Sequence, residues 1–457
     1  FDRELGGALL LAAAAVDRGW RAVLGGKQAV FTNMSRFNAM PGVFFLKSIV
    51  PGEVFKQKEI MADGHRIVSL DVEGLVPSNG ESGVRLRYSE ESIGLTDILF
   101  FWGRNHYDSV AAVYPQIRER SVVSGSPIID EIMVRGRRSA DARRNRTVKQ
   151  ILIGTSCGYA NHINGIEFAK KMTRDAYRGN VGEKESRELE YEAMLDLKIF
   201  EYWKQLVPRI ARECHGCEVV LRPHPSENKE FWRSYLADMD DVRIDAGGSI
   251  MEEMLKSDVY IHFNSTSSIT SRLLGIPTFM PLPSMDKELA DRVTFVKDIS
   301  ITVASMDELI GRVRDCLEGC KPVDPGMDIS RYCENLKREN GDASGVILDS
   351  FERMYAFTSG WGALKRQAFG EWLIVRLKRL KFFLLWALGR GLSVFGVKTD
   401  RLPPANAYKS ARGKQPDTGL RKVLHLAREL LGPRACDAIT VTKIDTNLFV
   451  VDAKEQV

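Results

Sequence analysis

The sequence has few cysteines that could form disulfides and no apolar run long enough to cross a membrane. Its 457 residues include only seven cysteines, an odd number scattered along the chain. This composition argues against a disulfide framework and favours a reducing compartment. No signal peptide and no internal repeat of solenoid period are visible. The apolar run Phe382 to Leu388 is far too short to span a bilayer. We therefore expect a cytoplasmic protein.

A metal site is also poorly supported by the sequence. Cys214-His215-Gly216-Cys217 has ligand-like spacing, and Cys316 and Cys320 form a second close pair. A structural zinc site needs four convergent ligands, however, and both pairs are compatible with chance placement at helix ends. We predict no metal.

Excess positive charge is absent from most of the chain. The formal net charge is +5, but residues 361–457 contain 18 Lys+Arg and 8 Asp+Glu, a net of +10, which leaves −5 for residues 1–360. This asymmetry argues against a body that binds nucleic acid. It favours a C-terminal segment that meets an anionic surface.

The length and the 44% apolar content fit two domains of ordinary size. Short apolar runs alternate with helical patterns in two series, which predicts parallel sheets. We predict an α/β fold with two Rossmann-like domains facing across a cleft. The predicted strands are Arg21–Leu24, Val43–Lys47, Arg66–Leu70, Ile98–Trp102, Ser121–Val123, Gln150–Gly154, Glu218–Leu221, Val242–Asp245, Asp258–Phe263 and Pro277–Met280.

The predicted domains are residues 1–135 and 150–355, joined by a polar linker at 136–149. The first domain opens with a helical pattern and no preceding strand, so we expect its first strand to be missing. Residues 356–400 read as basic, aromatic amphipathic helices, and 401–457 as a small accessory element with a terminal hairpin. The segment 361–398 is typical of an interfacial anchor on the inner face of a membrane. The alternative is a helix packed on the core.

Two short motifs follow predicted strands of the second domain. The first is Arg222-Pro223-His224-Pro225-Ser226-Glu227, in which two prolines fix the backbone around an imidazole. The second is Asn264-Ser265-Thr266-Ser267-Ser268, which runs into a helical pattern. Ligands of open α/β sheets bind outside the carboxyl ends of the strands, and helix N-termini bind anions. The two motifs therefore predict a phosphate site, although an ordinary N-cap would also explain one of the hydroxyls.

A pair of carboxylates follows a predicted strand of the first domain. Asp71-Val72-Glu73-Gly74 comes directly after Arg66–Leu70. Either carboxylate is a candidate general base for an acceptor hydroxyl. The alternative is a helix N-cap with solvated charge.

Two further loops are expected to line the cleft. Gly125-Ser126-Pro127 ends the first domain as a strand-to-helix turn. The loop after the first strand of the second domain contains Ser156, Gly158, Asn161 and His162. His162 fits a site position or a surface position equally well.

The order of these motifs resembles that of bacterial sialyl-, polysialyl- and Kdo-transferases of GT-B fold. Their motifs are an acidic-acidic-glycine stretch, here Asp71 to Gly74, then HP, here His224-Pro225, then a Ser/Thr cluster. The wider pattern, including the string at 222–228 and Gly125-x-Pro-x-x-Asp130, is similar to bacterial surface carbohydrate biosynthesis proteins. The resemblance covers roughly residues 1–355.

The resemblance implies a CMP-activated sugar donor, with no other cofactor and no metal. It implies that the HP histidine and the Ser/Thr hydroxyls bind the CMP phosphate, and that an acidic residue of the first motif is the base. The acceptor would be a polysaccharide or a lipid-linked molecule. Retaining Kdo transferases have an aspartate in the loop that here runs from Thr155 to Gly165, and this loop contains no acidic residue. Direct displacement is therefore the simpler expectation.

Three alternatives remain open at this point. A CDP-polyol phosphotransferase of the teichoic-acid type also combines an HP motif with serines, and typically uses a second histidine in the first domain. His65 and His106 are the candidates there, although neither lies in a matching motif. A nucleotide-sugar epimerase and a non-catalytic scaffold for polysaccharide assembly are the others.

Overall fold

The structure of the protein is a computed structural model that describes residues 4–27, 29–31, 42–74, 80–176, 183–245, 247, 249–282, 295–320, 329–337, 342–356, 419–445 and 448–454. The chain divides into two compact units, Phe1–Glu131 with Ser330–Val457, and Ile132–Ile329. Each unit contains a parallel sheet with helices, which confirms the predicted α/β class with two Rossmann-like sheets. The predicted membrane-binding segment 361–398 lies outside the described residues.

The first unit is built around a four-stranded parallel sheet in the order β2-β3-β4-β5. Its apolar strands are buried against helices, in a core that includes Ile67, Leu99 and Phe101. The strands are β2 (Val43–Leu46), β3 (Arg66–Leu70), β4 (Ile98–Phe101) and β5 (Ser121–Val123).

The first strand of the chain, β1 (Ala22–Gly25), does not join this parallel sheet. It pairs antiparallel with β13 (Leu448–Ala453), which also pairs with β12 (Ile439–Asp445). The predicted C-terminal hairpin is therefore present, but it completes the first unit and is not a separate accessory element. The reason is apolar burial, because Leu448, Phe449 and Val451 have no exposed surface.

Helices of the first unit connect and cover these two sheets. They are α1 (Leu5–Asp17), α2 (Val54–Ala62), α3 (Gly80–Arg87), α4 (Glu90–Gly94), α5 (Arg104–Val113) and, after the second unit, α13 (Ala343–Ala356), α14 (Leu420–Leu431) and α15 (Pro433–Asp437).

The predicted linker 136–149 differs from what the structure has there. Helix α6 runs from Pro127 to Arg144, and the two units divide within it, after Glu131. Its first residue is a proline, whose fixed φ suits the first helical position. The polar stretch that suggested a loop is rich in Arg and Ala, which are good helix formers.

The second unit contains a six-stranded parallel sheet in the order β11-β10-β9-β6-β7-β8. Its strand order reverses at β6, so the loops after β6, β7 and β9 leave at a topological switch point, where α/β sheets bind ligands. The strands are β6 (Lys149–Gly154), β7 (Cys217–Arg222), β8 (Val242–Ile244), β9 (Val259–His262), β10 (Thr278–Pro281) and β11 (Ile301–Val303).

Helices of the second unit follow its strands in turn. They are α7 (Ile166–Ala176), α8 (Glu183–Glu213), α9 (Lys229–Tyr235), α10 (Ile250–Met254), α11 (Ser267–Leu273) and α12 (Met306–Leu317). A search of the described part of the chain finds no helix that is both long and apolar enough to cross a membrane.

The C-terminal hairpin should be essential for the stability of the first unit. Phe449→Ala removes a fully buried ring beside β1, and such truncations cost about 3–5 kcal/mol of unfolding free energy. Urea denaturation followed by circular dichroism measures the change. Asp452→Ala on the same strand is the control, because it removes only an exposed ion pair with Arg21, worth about 0–1 kcal/mol. Equal midpoints for the two variants would contradict this role of the hairpin.

Candidate functional site

The carboxyl ends of β7 and β9 present the two motifs of the second unit on either side of β6. Gly154 at the end of β6 pairs with Arg222 of β7 and with His262 of β9. Adjacent strands lie ~4.8 Å apart, so the two motifs begin about 10 Å from each other. This confirms that the imidazole and the hydroxyl cluster occupy the same edge of one sheet.

His224 sits on a tight turn after β7. Its carbonyl accepts from Glu227 N at 2.8 Å, and its Nδ1 lies 2.7 Å from Ser226 Oγ and accepts from Ser226 N at 3.3 Å. Because Nδ1 accepts a hydrogen bond from a backbone N–H, the neutral form of the ring carries its proton on Nε2. The side chain is exposed, as is that of Pro225 beside it. The imidazole is therefore oriented by its own turn before any ligand binds.

The loop after β6 approaches this turn closely at Gly158. A Cβ atom at this position would collide with Ser226 Oγ and lie 3.3 Å from His224 Nδ1. A glycine is required here because the two loops touch through backbone. Gly158 therefore lies beside the HP motif, at the edge where the sequence places its loop.

The buried side chain of Glu227 connects the loop after β6 with the loop after β7. Its carboxylate is fully buried, and Oε1 accepts from Thr155 Oγ1 at 2.7 Å, Cys157 N at 2.9 Å and His224 N at 2.8 Å. A second set of donors reaches Oε2, namely Asn161 Nδ2 at 3.5 Å and Trp232 Nε1 at 3.1 Å. Burying a carboxylate is costly unless it is hydrogen-bonded, and these five donors supply that compensation.

Asp196 of α8 supports the same loop, and sequence reasoning missed it. Its Oδ2 accepts from Tyr159 N at 2.8 Å and Ala160 N at 2.6 Å. Burial raises the pKa of the Asp196 carboxyl to about 6. The loop itself lacks acidic residues, and its carboxylate partners come from elsewhere in the chain. No local sequence signal marks Asp196, which lies 36 residues beyond Ala160.

The hydroxyl cluster after β9 contains one buried hydroxyl that bonds to the backbone and others that are partly accessible to a ligand. Ser268 is buried, and its Oγ donates to Ser265 O at 2.7 Å. Ser265 Oγ and Ser267 Oγ are half-buried and 2.7 Å apart. Thr266 is the N-cap of α11, but its side chain makes no cap hydrogen bond.

The predicted anion site at the N-terminus of α11 is corrected by the structure. The first N–H groups of this seven-residue helix are already bonded, Ser268 N to Ser265 O at 3.1 Å and Ile269 N to Thr266 O at 3.2 Å. The tight turn before the helix supplies these carbonyls. Any anion at this position is therefore bound by side-chain hydroxyls and not by free helix amides.

Two non-glycine residues at this edge have a left-handed backbone. Ser156, two residues after β6, has φ +54°, and Asn264, two residues after β9, has φ +45°. Such conformations are uncommon outside glycine and cluster at functional sites. Both lie where the sequence predicted loops that contact the ligand, and Ser156 is exposed.

Three predicted residues have supporting roles instead. Arg222 makes an ion pair with Asp245 and donates to Gly247 O at 2.7 Å, so its guanidinium is engaged in the fold. Asn161 donates to Asn228 O at 3.1 Å in addition to Glu227. His162 is buried, and its Nδ1 accepts from Asn164 N at 3.0 Å.

Ser126, in the first unit, is fully buried. Its backbone N–H donates to Asn335 Oδ1 at 2.8 Å, and its carbonyl accepts from Asn335 Nδ2 at 3.0 Å. Gly125, at φ +81°, gives Asn335 the space to approach. The prediction that Ser126 lines a ligand-accessible loop is therefore wrong, because the returning chain covers this turn.

The two acidic residues after β3 have different environments in the first unit. Asp71 is buried, both of its carboxylate oxygens contact Arg87, and its backbone carbonyl accepts from Trp102 Nε1 at 2.6 Å. Glu73 keeps 59% of its side chain exposed and contacts Arg87 Nη1 at 2.5 Å. Glu73 is thus the accessible carboxylate of the motif.

His106 lies at the same end of this sheet, in the first turn of α5. A side chain at Gly74 would collide with its ring, and its Nε2 lies 3.0 Å from Tyr88 OH. Its Nδ1 is buried and has no hydrogen-bond partner among the described residues. Burial lowers the pKa of His106 to about 3, so the ring is neutral.

His65 and the cysteine pairs carry no comparable arrangement. His65 Nδ1 accepts from Gly42 N at 3.1 Å. Within the described ranges, no group of three or more His, Cys, Asp and Glu residues is arranged to hold a metal ion.

No protein-family model matches this sequence, and comparison with curated proteins finds no match. Solved structures with some similarity include a variant of the wall teichoic acid polymerase TagF, at 13% identity over 59% of this chain and 60% of that chain with TM-score 0.34. S. aureus MnaA with UDP aligns at 13% identity over 72% and 78%, with TM-score 0.40. The Methanocaldococcus jannaschii UDP-GlcNAc 2-epimerase with UDP-GlcNAc and UDP aligns at 11% over 71% and 80%, with TM-score 0.38.

This chain therefore spans only about three-fifths of the TagF structure. At TM-scores this low, the similarities carry no argument about the reaction. The inferences below rest on the geometry of the chain itself.

The Glu227 carboxylate should hold the two loops in place. In Glu227→Gln one acceptor oxygen becomes an NH2 group that faces N–H donors, which leaves buried groups unpaired at a cost of about 1–3 kcal/mol. We expect amide hydrogen exchange at Cys157 and His224 to become roughly tenfold to a hundredfold faster, in line with that cost. Glu230→Gln, at an exposed position three residues further on, is the matched control. Unchanged exchange in Glu227→Gln would show that the loops are held by other contacts.

Proposed function

We propose that this protein is a glycosyltransferase that moves a Kdo- or sialic-acid-like sugar from a CMP-activated donor to a surface polysaccharide or lipid-linked acceptor. The observation that carries the proposal is the site at the switch point of the second unit. There, an exposed imidazole on a preorganised turn and a pair of hydroxyls flank one glycine-bearing loop. This set of groups suits a phosphate.

The charge of the site favours a donor with a single phosphate. The three loops at 155–165, 223–228 and 263–266 contain no Lys or Arg. Arg222, which directly precedes them at the end of β7, is paired with Asp245. His224 is then the group of these loops that can become a cation. In the protonated ring, Nδ1 would donate to Ser226 Oγ, 2.7 Å away, instead of accepting from Ser226 N, and one imidazolium would balance one phosphodiester charge.

The reaction we propose is a direct displacement. The acceptor hydroxyl oxygen attacks the anomeric carbon, the bond from that carbon to the phosphate oxygen breaks, and CMP leaves with the bonding electrons. Negative charge grows on the phosphate in this step, and His224 with the Ser265–Ser267 pair stabilises it. The proton of the acceptor hydroxyl passes to a carboxylate.

Glu73 is the base we propose from the first unit. It is the exposed member of the acidic pair, whereas Asp71 is buried and occupied on both oxygens by Arg87. Asp71 then has the role of fixing Arg87, which in turn contacts Glu73.

A second candidate function is transfer of a phosphopolyol from a CDP-linked donor. The observation that favours it is His106, a neutral histidine beside Gly74 with a buried, unpartnered Nδ1. That reaction would use a second histidine in addition to His224. Incubation with CMP-sugar acids and with CDP-polyols, followed by mass spectrometry of the products, distinguishes the two functions.

Cytidine monophosphate should bind the second unit through His224. Loss of a charge-assisted hydrogen bond costs about 1.5–3 kcal/mol, so His224→Ala should weaken CMP binding roughly 10- to 150-fold in calorimetry. His215→Ala is the matched control, because His215 is exposed and precedes the amino end of the same strand β7. The donor assignment fails if wild-type protein binds UDP more tightly than CMP, and the site assignment fails if both histidine variants bind CMP equally.

The accessible carboxylate of the acidic pair should be needed for turnover but not for donor binding. Glu73→Gln should lower kcat about 10²- to 10⁴-fold, the usual contribution of a general base, while the Kd for CMP stays unchanged. Asp71→Asn should instead lower the melting temperature, because it leaves Arg87 without its buried partner. Full activity of Glu73→Gln would move the base to another residue, with His106 the next to test.

A further inference from the structure

Three hydroxyl groups form a chain beneath the proposed phosphate site. Tyr260 OH lies 2.6 Å from Ser267 Oγ, and Ser267 Oγ lies 2.7 Å from Ser265 Oγ. Tyr260 is fully buried in β9, whereas both serines are half-buried at the carboxyl end of that strand. The chain therefore runs from the core to the edge where ligands bind.

The number of protons fixes the direction of this chain. Three hydroxyls carry three protons, and the two oxygen–oxygen contacts use two of them. The acceptors within reach of the Tyr260 hydroxyl are the two serine hydroxyls, Ser267 Oγ at 2.6 Å and Ser265 Oγ. A buried phenol that did not donate to either serine would leave its proton unpaired, which is costly. Tyr260 therefore donates to the serine pair, and the remaining proton belongs to that pair.

We propose that Tyr260 is a positioning residue that orients the Ser265–Ser267 pair to donate its remaining O–H to a phosphate oxygen of the donor nucleotide. This inference rests on the proposed function, since it names what the pair binds. Because the phenol donates to the serine pair, one O–H of that pair is left over and can be donated to a ligand. Hydrogen bonds in such a chain also polarise one another, which strengthens the last one.

The surroundings of Tyr260 hold the phenol in this position. A Cβ at Gly154 would lie 2.8 Å from the hydroxyl, so the end of β6 leaves space for it only because it is a glycine. The His262 ring stacks on Tyr260 with centroids 5.3 Å apart, and its Nδ1 accepts from Ser265 N at 3.2 Å. Burial raises the pKa of Tyr260, so the phenol keeps the proton that it donates.

The experiment compares CMP with cytidine in wild-type protein and in Tyr260→Phe. This variant removes one oxygen and keeps the ring. We expect CMP binding measured by calorimetry to weaken about fivefold to tenfold, as for the loss of one neutral hydrogen bond. Cytidine binding should not change, because cytidine lacks the phosphate. A variant that merely disturbed the fold would lose affinity for both ligands.

Tyr202→Phe is the matched control. Tyr202 is also buried in the second unit, and its hydroxyl has no partner among the described residues, so its removal should leave both affinities at the wild-type value. Ser265→Ala provides a second test. If Tyr260 acts through the serine pair, adding Tyr260→Phe to Ser265→Ala should lower CMP affinity less than twofold further.

The outcomes separate this inference from the proposed function. Wild-type CMP affinity in Tyr260→Phe, or fully additive losses in the double variant, would overturn the role of Tyr260 while leaving the His224 site intact. If His224→Ala and Ser265→Ala both bind CMP normally, the phosphate site itself is wrong. Weakening confined to CMP, absent in Tyr202→Phe and lost in the Ser265→Ala background, is the result we expect.

Discussion

The buried carboxylate of Glu227 is the interaction on which the candidate site depends. A charge without exposed surface is tolerated only where donors surround it, and here they come from three segments of the second unit. Two of these segments are the loops after β6 and β7. Any displacement of one loop relative to the other would leave part of the carboxylate unpaired. The backbone of His224 is thereby held in place, because moving it would remove a hydrogen bond from the buried Glu227 carboxylate.

Strand β6 and the loop after it carry glycines at the two positions where side chains would collide with residues of the candidate site. At its end Gly154 faces the Tyr260 hydroxyl, and four residues later Gly158 faces Ser226 and His224. Side chains at these two positions would separate β6 from the groups on both of its neighbours. Strand β6 and its loop thus contribute backbone and space, while the imidazole and the hydroxyls of the candidate site come from the segments around the ends of β7 and β9. Preorganised donors of this kind need little rearrangement when charge develops on a ligand.

Much of this could be predicted from the sequence, because parallel strands buried on both faces are short apolar runs. Leu152, Val220 and Ile261 lie in such runs, and the polar motifs that follow them mark the carboxyl edge. Strand β11 escaped prediction because it has three residues with an exposed threonine at its centre. The His224 and Ser265 motifs could be located by the same pattern, because each begins where an apolar run ends.

Contacts between distant segments could not be predicted in this way. Strand β1 has the composition of a parallel-sheet strand, yet it pairs with residues more than 400 positions away, and this pairing belongs to a sheet in which Leu448, Phe449 and Val451 are fully buried. The pairing of Asp71 with Arg87 likewise depends on where α3 packs. Glu227 could be interpreted from its motif as a support of the loop, but its burial and its partners Thr155 and Trp232 could not.

The charge balance around the imidazole bears on which donor the site suits. Glu227 places one negative charge behind the His224 turn, and a protonated ring places one positive charge in front of it. The sugar-linked phosphate of a CMP donor is a diester with one charge, which the ring can match. A diphosphate donor brings a second charge, and the three loops hold no Lys or Arg to meet it. In the proposed reaction, the phosphate of the departing CMP would gain charge at the oxygen that leaves the sugar. The hydroxyl pair and the imidazolium would then be most strongly engaged after the bond begins to break, which is the condition for lowering a barrier and not merely tightening a complex.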